Sequence, residues 1–87
     1  RLGEVGLVAL PAEIFTAVGM EIKRYAPSPK TMVVELANAR VSSYVPTEAQ
    51  AERGGYGAKP ILTRHLSAEA ARLMSDAAVK MLYALWI

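Results

Sequence analysis

Two rhythms of apolar and polar positions run along this chain. Val5 to Leu10 is an uncharged apolar run closed by Pro11. A run of that length with a helix signal behind it predicts a buried strand. Beyond Pro11, apolar residues at Ile14, Phe15, Val18, Ile22 and Tyr25 recur at helical spacing, with Thr16, Glu21, Lys23 and Arg24 on the other side. The pattern predicts a helix from Glu13 to Tyr25. Proline suits its start, because the N–H that proline lacks has no partner in a first helical turn. Gly19 costs such a helix about 1 kcal/mol relative to alanine, which points to a packing reason for it. Pro27-Ser28-Pro29 ends the helix.

Thr31 to Ala37 is β-branched and short, with Glu35 its only charge, and predicts a second strand. Asn38 to Val45 extends that strand or turns back as a hairpin. Val41, Ser43 and Val45 then share one face, and Arg40, Ser42 and Tyr44 the other. Pro46-Thr47-Glu48 opens a brief helix through Ala51, and the glycines of Arg53 to Gly57 make a loop. The last element is the clearest. Ser67 is the expected N-cap, with Glu69 in the first turn. Ala70, Leu73, Met74, Ala77, Ala78, Met81, Leu82, Leu85 and Trp86 form one wide apolar stripe, opposite Arg72, Ser75, Asp76 and Lys80. The order strand, helix, strand, irregular segment, helix predicts an α/β fold. It contains a strand–helix–strand unit with parallel strands and a right-handed crossover, plus an amphipathic final helix.

Composition narrows the function classes. With 87 residues there is room for one small domain, which buries only roughly 60–65% of its unfolded surface. At 53% hydrophobic and 21% charged the chain is too apolar for intrinsic disorder and reads as a piece of a larger α/β domain. The absence of cysteine excludes disulfides and thiolate metal sites. A net charge of +2, with Lys23-Arg24 the only adjacent basic pair, is too weak and too scattered for nucleic-acid binding. No apolar run approaches the roughly 20 residues of a membrane span, and the start carries no signal-peptide pattern. The first residue is Arg1, as expected of a processed or cut end.

Candidate chemistry follows from the topology. In open α/β sheets, sites form outside the carboxyl ends of the strands. Glu13 lies past the end of the first strand and Tyr44 past the end of the second, so a carboxylate and a phenol are expected at one sheet edge. There they would share a cation or a substrate. Each also has a structural reading: Glu13 would favour a helix N-terminus, and Tyr44 and Tyr56 would pack with wet hydroxyls. Asn38, Arg40 and His65, the only histidine, are further candidates with equally ordinary turn or capping readings. The Gly-Gly-Tyr-Gly loop lacks the ending of a P-loop. One histidine, one glutamate and a tyrosine do not complete a catalytic zinc site, which usually has three protein ligands and a water.

At these residues the sequence resembles the neutral/alkaline, non-lysosomal ceramidases. Leu10-Pro11-Ala12-Glu13-Ile14-Phe15 is similar to their Leu-Pro-Gly-Glu-Pro-Phe segment. Leu36 to Thr47 is similar to their Ala-Asn-Gly/Asp-Tyr-x-Gly-Tyr-Val-Pro/Thr-Thr segment, and Glu48 to Tyr56 to the stretch that follows. The resemblance covers most of residues 3–65 and implies the C-terminal part of a catalytic domain that hydrolyses the N-acyl amide of ceramide or a related lipid. It implies a zinc ion held by two upstream histidines together with Glu13 and Tyr44, and a substrate-side role for Tyr56. The chain alone is then expected to be inactive, with the rest of the parent catalytic domain as its partner. A secreted or membrane-peripheral location follows from the family. The helix over 67–87 would bring a lipid substrate to the site by lying at a membrane surface. Ala12 replaces the family glycine, and Arg40 with Ser42-Ser43 replaces the Tyr/Gly pattern before the tyrosine. These departures bear on the choice of substrate. A non-enzymatic alternative is an assembly module that offers the Leu73–Trp86 stripe to a partner.

Overall fold

A computed structural model of the chain describes residues 1–37, 43–58 and 66–87. Strand β1 (Val5–Ala9) pairs with β3 (Lys30–Val34), and a two-residue strand β2 (Glu13–Ile14) pairs with β4 (Tyr44–Val45). Both pairs are parallel, and helix α1 (Thr16–Tyr25) connects β2 to β3. Helices α2 (Glu48–Arg53) and α3 (Ala70–Leu85) follow. The chain is thus a small α/β unit of parallel strands with a C-terminal helix, as its hydrophobic pattern predicts.

Alternation decides which face of the β1–β3 pair is covered. Gly6 and Val8 of β1 and Thr31 of β3 are buried, while Leu7, Met32 and Val34 are 42–54% exposed. The inner face packs on α1 and α3, which also pack on each other. Val18, Ile22 and Leu82, at 0–2% exposure, form the centre of this core with Val8 and Leu10. Gly6 sits where α3 crosses the strand. A Cβ there would lie 3.2 Å from Leu82 Cδ2 and 3.3 Å from Trp86 Cη2, so the helix approaches closely only over a glycine. The start of β1 is tied to the end of α3. The Arg1 guanidinium lies 4.1 Å from the Trp86 ring centroid and donates to the Leu85 carbonyl at 2.9 Å.

The turn between α1 and β3 satisfies its own polar groups. Buried Ser28 donates its hydroxyl to the Glu4 carbonyl and accepts the Lys30 N–H, while Thr31 Oγ1 donates to the Ser28 carbonyl at 2.7 Å. Thr47 begins α2 with a capping box: its hydroxyl accepts the Gln50 N–H, and the Gln50 side chain accepts the Thr47 N–H.

Several boundaries and faces differ from the sequence expectation. Glu13 and Ile14 are strand residues, not a first helical turn, because Ser43 and Val45 carbonyls take the N–H groups of Glu13 and Phe15 at 3.0 Å. The helix starts only at Thr16. Ser67 does not cap α3: its carbonyl accepts the Ala70 N–H at 3.1 Å in a preceding turn, and Glu69 occupies the cap position. Tyr25 is 53% exposed beside Arg24, outside the core face of α1. On α3 the inner line is Ala71, Ser75, Ala78 and Leu82, so Ser75 is buried and Leu73, Met81 and Leu85 are more than half exposed. Small residues let α3 lie against α1 and β1, and they rotate the large side chains of its stripe outward. Gly19 makes no close approach: an added Cβ would meet Ile14 and Val33 only at 3.9–4.0 Å, so its expected packing requirement is not present.

Candidate functional site

The segment from Val5 to Phe15 changes partner partway along. Its first half pairs with β3, and the ladder ends as the Leu10 N–H donates to the Val34 carbonyl at 2.9 Å. Pro11, lacking a donor, marks the break. The second half then pairs with β4, with Glu13 opposite Tyr44 and Ile14 opposite Val45. Residues directly opposite in a parallel pair project from the same face. The carboxylate and the phenol singled out from the sequence are therefore immediate neighbours, just past the carboxyl end of β1.

Aromatic contacts complete the site. The Phe15 ring meets the Tyr44 ring edge-on, with centroids 6.4 Å apart and planes at 89°. The Tyr56 ring also meets Tyr44 edge-on, with centroids 5.4 Å apart and planes at 72°. Such edge-to-face pairs contribute about 0.5–1.5 kcal/mol beyond their burial. Tyr56 reaches Tyr44 from the glycine loop and is itself 80% exposed. Gly57 makes this possible. Its φ is +82°, and a Cβ on it would lie 3.1 Å from Tyr44 Cγ and Phe15 Cε1. Gly57 is the site residue that sequence reasoning missed; its signal was the last glycine of Gly54-Gly55-Tyr56-Gly57, which reads there only as a loop.

The Tyr44 phenol is held above its ordinary pKa of 10.0. The first cause is a side-chain hydrogen bond with Tyr56 that favours the protonated form, followed by desolvation and by the negative charges of Glu13 and Glu35. In the absence of a cation the site therefore keeps Tyr44 neutral. A divalent cation between Glu13 and Tyr44 would reverse that balance, since its charge favours the phenolate. The donor set fits part of a zinc site: one carboxylate and one phenol in register. Among the described residues no three His, Cys, Asp or Glu side chains gather as metal ligands, so a zinc ion here would need further ligands beyond this pair. Asn38, Arg40 and His65 lie outside the described residues. The three residues that the resemblance implicates, Glu13, Tyr44 and Tyr56, are brought together.

Among the described residues no helix is long and apolar enough to cross a membrane. Compared with known proteins, the chain matches no family model, no curated protein and no solved structure.

Proposed function

We propose that this chain is the C-terminal part of a zinc-dependent amidase domain of the neutral ceramidase type, acting on ceramide or a related lipid amide. The observation that carries the reading is the register pair Glu13–Tyr44 with Tyr56 against it. Three residues from distant segments, each selected for its place in a resembling motif, converge on one spot. Glu13 and Tyr44 would hold the metal with two histidines from upstream sequence. Bound zinc supplies a Lewis acid for the amide carbonyl and a water of pKa about 7. Tyr44 would serve as a phenolate ligand, since the charge of a bound cation favours the ionised phenol. Tyr56 is exposed, and its hydroxyl would donate to the amide oxygen as negative charge develops there. The rest of the parent catalytic domain is the necessary partner.

The test uses a longer protein that includes upstream histidines. Glu13→Ala and Tyr44→Phe should each lower zinc content, measured by atomic absorption, and ceramide hydrolysis with it. Tyr56→Phe should lower hydrolysis and leave zinc content unchanged. Unaltered zinc and activity in both ligand variants would sink the assignment.

A second reading has its own support. Leu73, Met81, Tyr83 and Leu85 are each more than half exposed on α3, which suits contact with a lipid surface or a partner protein. Co-sedimentation with ceramide-containing vesicles tests the membrane version, and loss of binding in Met81→Lys is the expected signature.

A further inference from the structure

Among the described residues one edge of the β1–β3 pair is unfilled, and its surroundings specify what fills it. Leu10 turns both backbone groups toward β3: its N–H donates to the Val34 carbonyl and its carbonyl accepts the Ala37 N–H at 3.0 Å. Along a parallel strand this direction alternates, so Val8 and Gly6 also face β3. Val5, Leu7 and Ala9 face the other way. Val5 shows this directly, since it exchanges hydrogen bonds with Leu2 at 2.8 and 2.9 Å on that side. Beyond Leu2, the N–H and C=O groups of Leu7 and Ala9 line an edge where no described strand is paired.

A groove runs along this edge. Four consecutive residues line it, Leu7 to Ala9 of β1 and Leu10 just past its end. Consecutive side chains point to opposite faces, so only a strip along the strand's edge touches all four. The other wall is a row on α3 that includes Met74, Met81 and Leu85, and among the described residues no charged side chain lines the groove. The helix therefore overhangs the sheet where another strand would lie. The geometry points to one occupant: we infer that a further β-strand, uncharged and apolar over about four residues, pairs with Leu7 and Ala9 beneath α3 and extends the sheet. A helix offers no backbone groups to Leu7 and Ala9, and a charged segment would lose its hydration there. The inference rests on the reading of this chain as part of a larger catalytic domain, and that domain is the source of the strand. The open outer face of the pair, with Leu7, Met32 and Val34 exposed, fits the same picture, because parallel sheets are ordinarily covered on both faces.

Amide hydrogen exchange on the longer, histidine-containing protein tests it, with zinc content measured on the same sample. The Leu7 and Ala9 amides should exchange at least about 100-fold more slowly than unprotected amides, comparably to Val8. Fast exchange at Leu7 and Ala9 beside slow exchange at Val8 overturns the added strand, whatever the zinc content. Slow exchange without zinc supports the strand and counts against the metal assignment alone. Protection that depends on protein concentration, with a doubled mass by light scattering, assigns the edge to a second copy and overturns the inference.

Discussion

The two parallel strand pairs of this molecule are held by different forces. The β1–β3 pair is five residues long and rests on a covered inner face, where Val8 meets Val18, Ile22 and Leu82. The β2–β4 pair is two residues long and carries its chemistry outward. It is held by backbone bonds from Glu13 and Phe15 and by the edge-on contacts of Phe15, Tyr44 and Tyr56. Burial fixes the first pair, while the second adds the close approach of rings over a glycine to a single buried strand residue, Val45. The lesson is that one continuous segment, Val5 to Phe15, serves both. It anchors in the core and delivers Glu13 to the site a few residues later, so the aromatic site should be open to disturbance with the core retained, whereas loss of the core should take both pairs with it.

The largest effect should come from emptying the core. Ile22→Ala or Leu82→Ala removes a side chain with at most 2% exposure and should cost about 2–5 kcal/mol, read by urea denaturation. In a domain this small that suffices to unfold much of the population. If either variant disturbed only the tyrosine signals and spared global stability, the division drawn between the pairs would be wrong. Gly57→Ala should come next, at about 1–3 kcal/mol, because alanine is strained at φ +82° and its Cβ strikes two rings. Near-ultraviolet circular dichroism should change as Tyr44 and Tyr56 separate, with the far-ultraviolet helix signal retained. Thr47→Ala removes the cap of α2 and should cost about 1 kcal/mol, with faster amide exchange confined to residues 48–53.

The smallest change in stability, and the sharpest in chemistry, belongs to Tyr56→Phe. Tyr44 ionises above its ordinary 10.0, chiefly through its bond with Tyr56. Spectroscopic titration of the phenolate should therefore show its midpoint move down in this variant. The linkage has a definite sign. A raised folded pKa stabilises the fold fully below pH 10, and that contribution fades as pH rises through the folded value. Tyr56→Phe should flatten this alkaline loss. An unmoved Tyr44 midpoint would mean that the phenols do not share a bond in solution.

Much of the architecture was legible from the chain. The Val5–Leu10 run and the spacing of Val18 and Ile22 predict β1 and the core face of α1, and the Pro27-Ser28-Pro29 stop predicts its end. Alternation puts Tyr44 and Val45 on opposite faces, and the structure buries the valine and leaves the tyrosine half-buried. Helix starts were less legible. Glu13 carries a helix-favouring signal, yet its N–H is claimed by a carbonyl thirty residues away. Ser67 has the side chain of a cap, yet a backbone turn takes its place. The face of α3 was misjudged at Ser75, since a helical wheel ranks residues by hydrophobicity, whereas close packing against another helix also selects for small volume.

The sequence by itself determined the longer elements β1, α1, β3 and α3, the parallel order of the main strands and the residue types available for chemistry. Those follow from periodicity and covalent geometry, which act over a few residues at a time. Only the tertiary structure decided that Glu13 and Tyr44 are register partners, that Gly57 admits two rings, and that β1 has an open edge beneath α3. Each of these depends on segments far apart in the chain meeting at distances of a few ångströms, which local propensity does not encode.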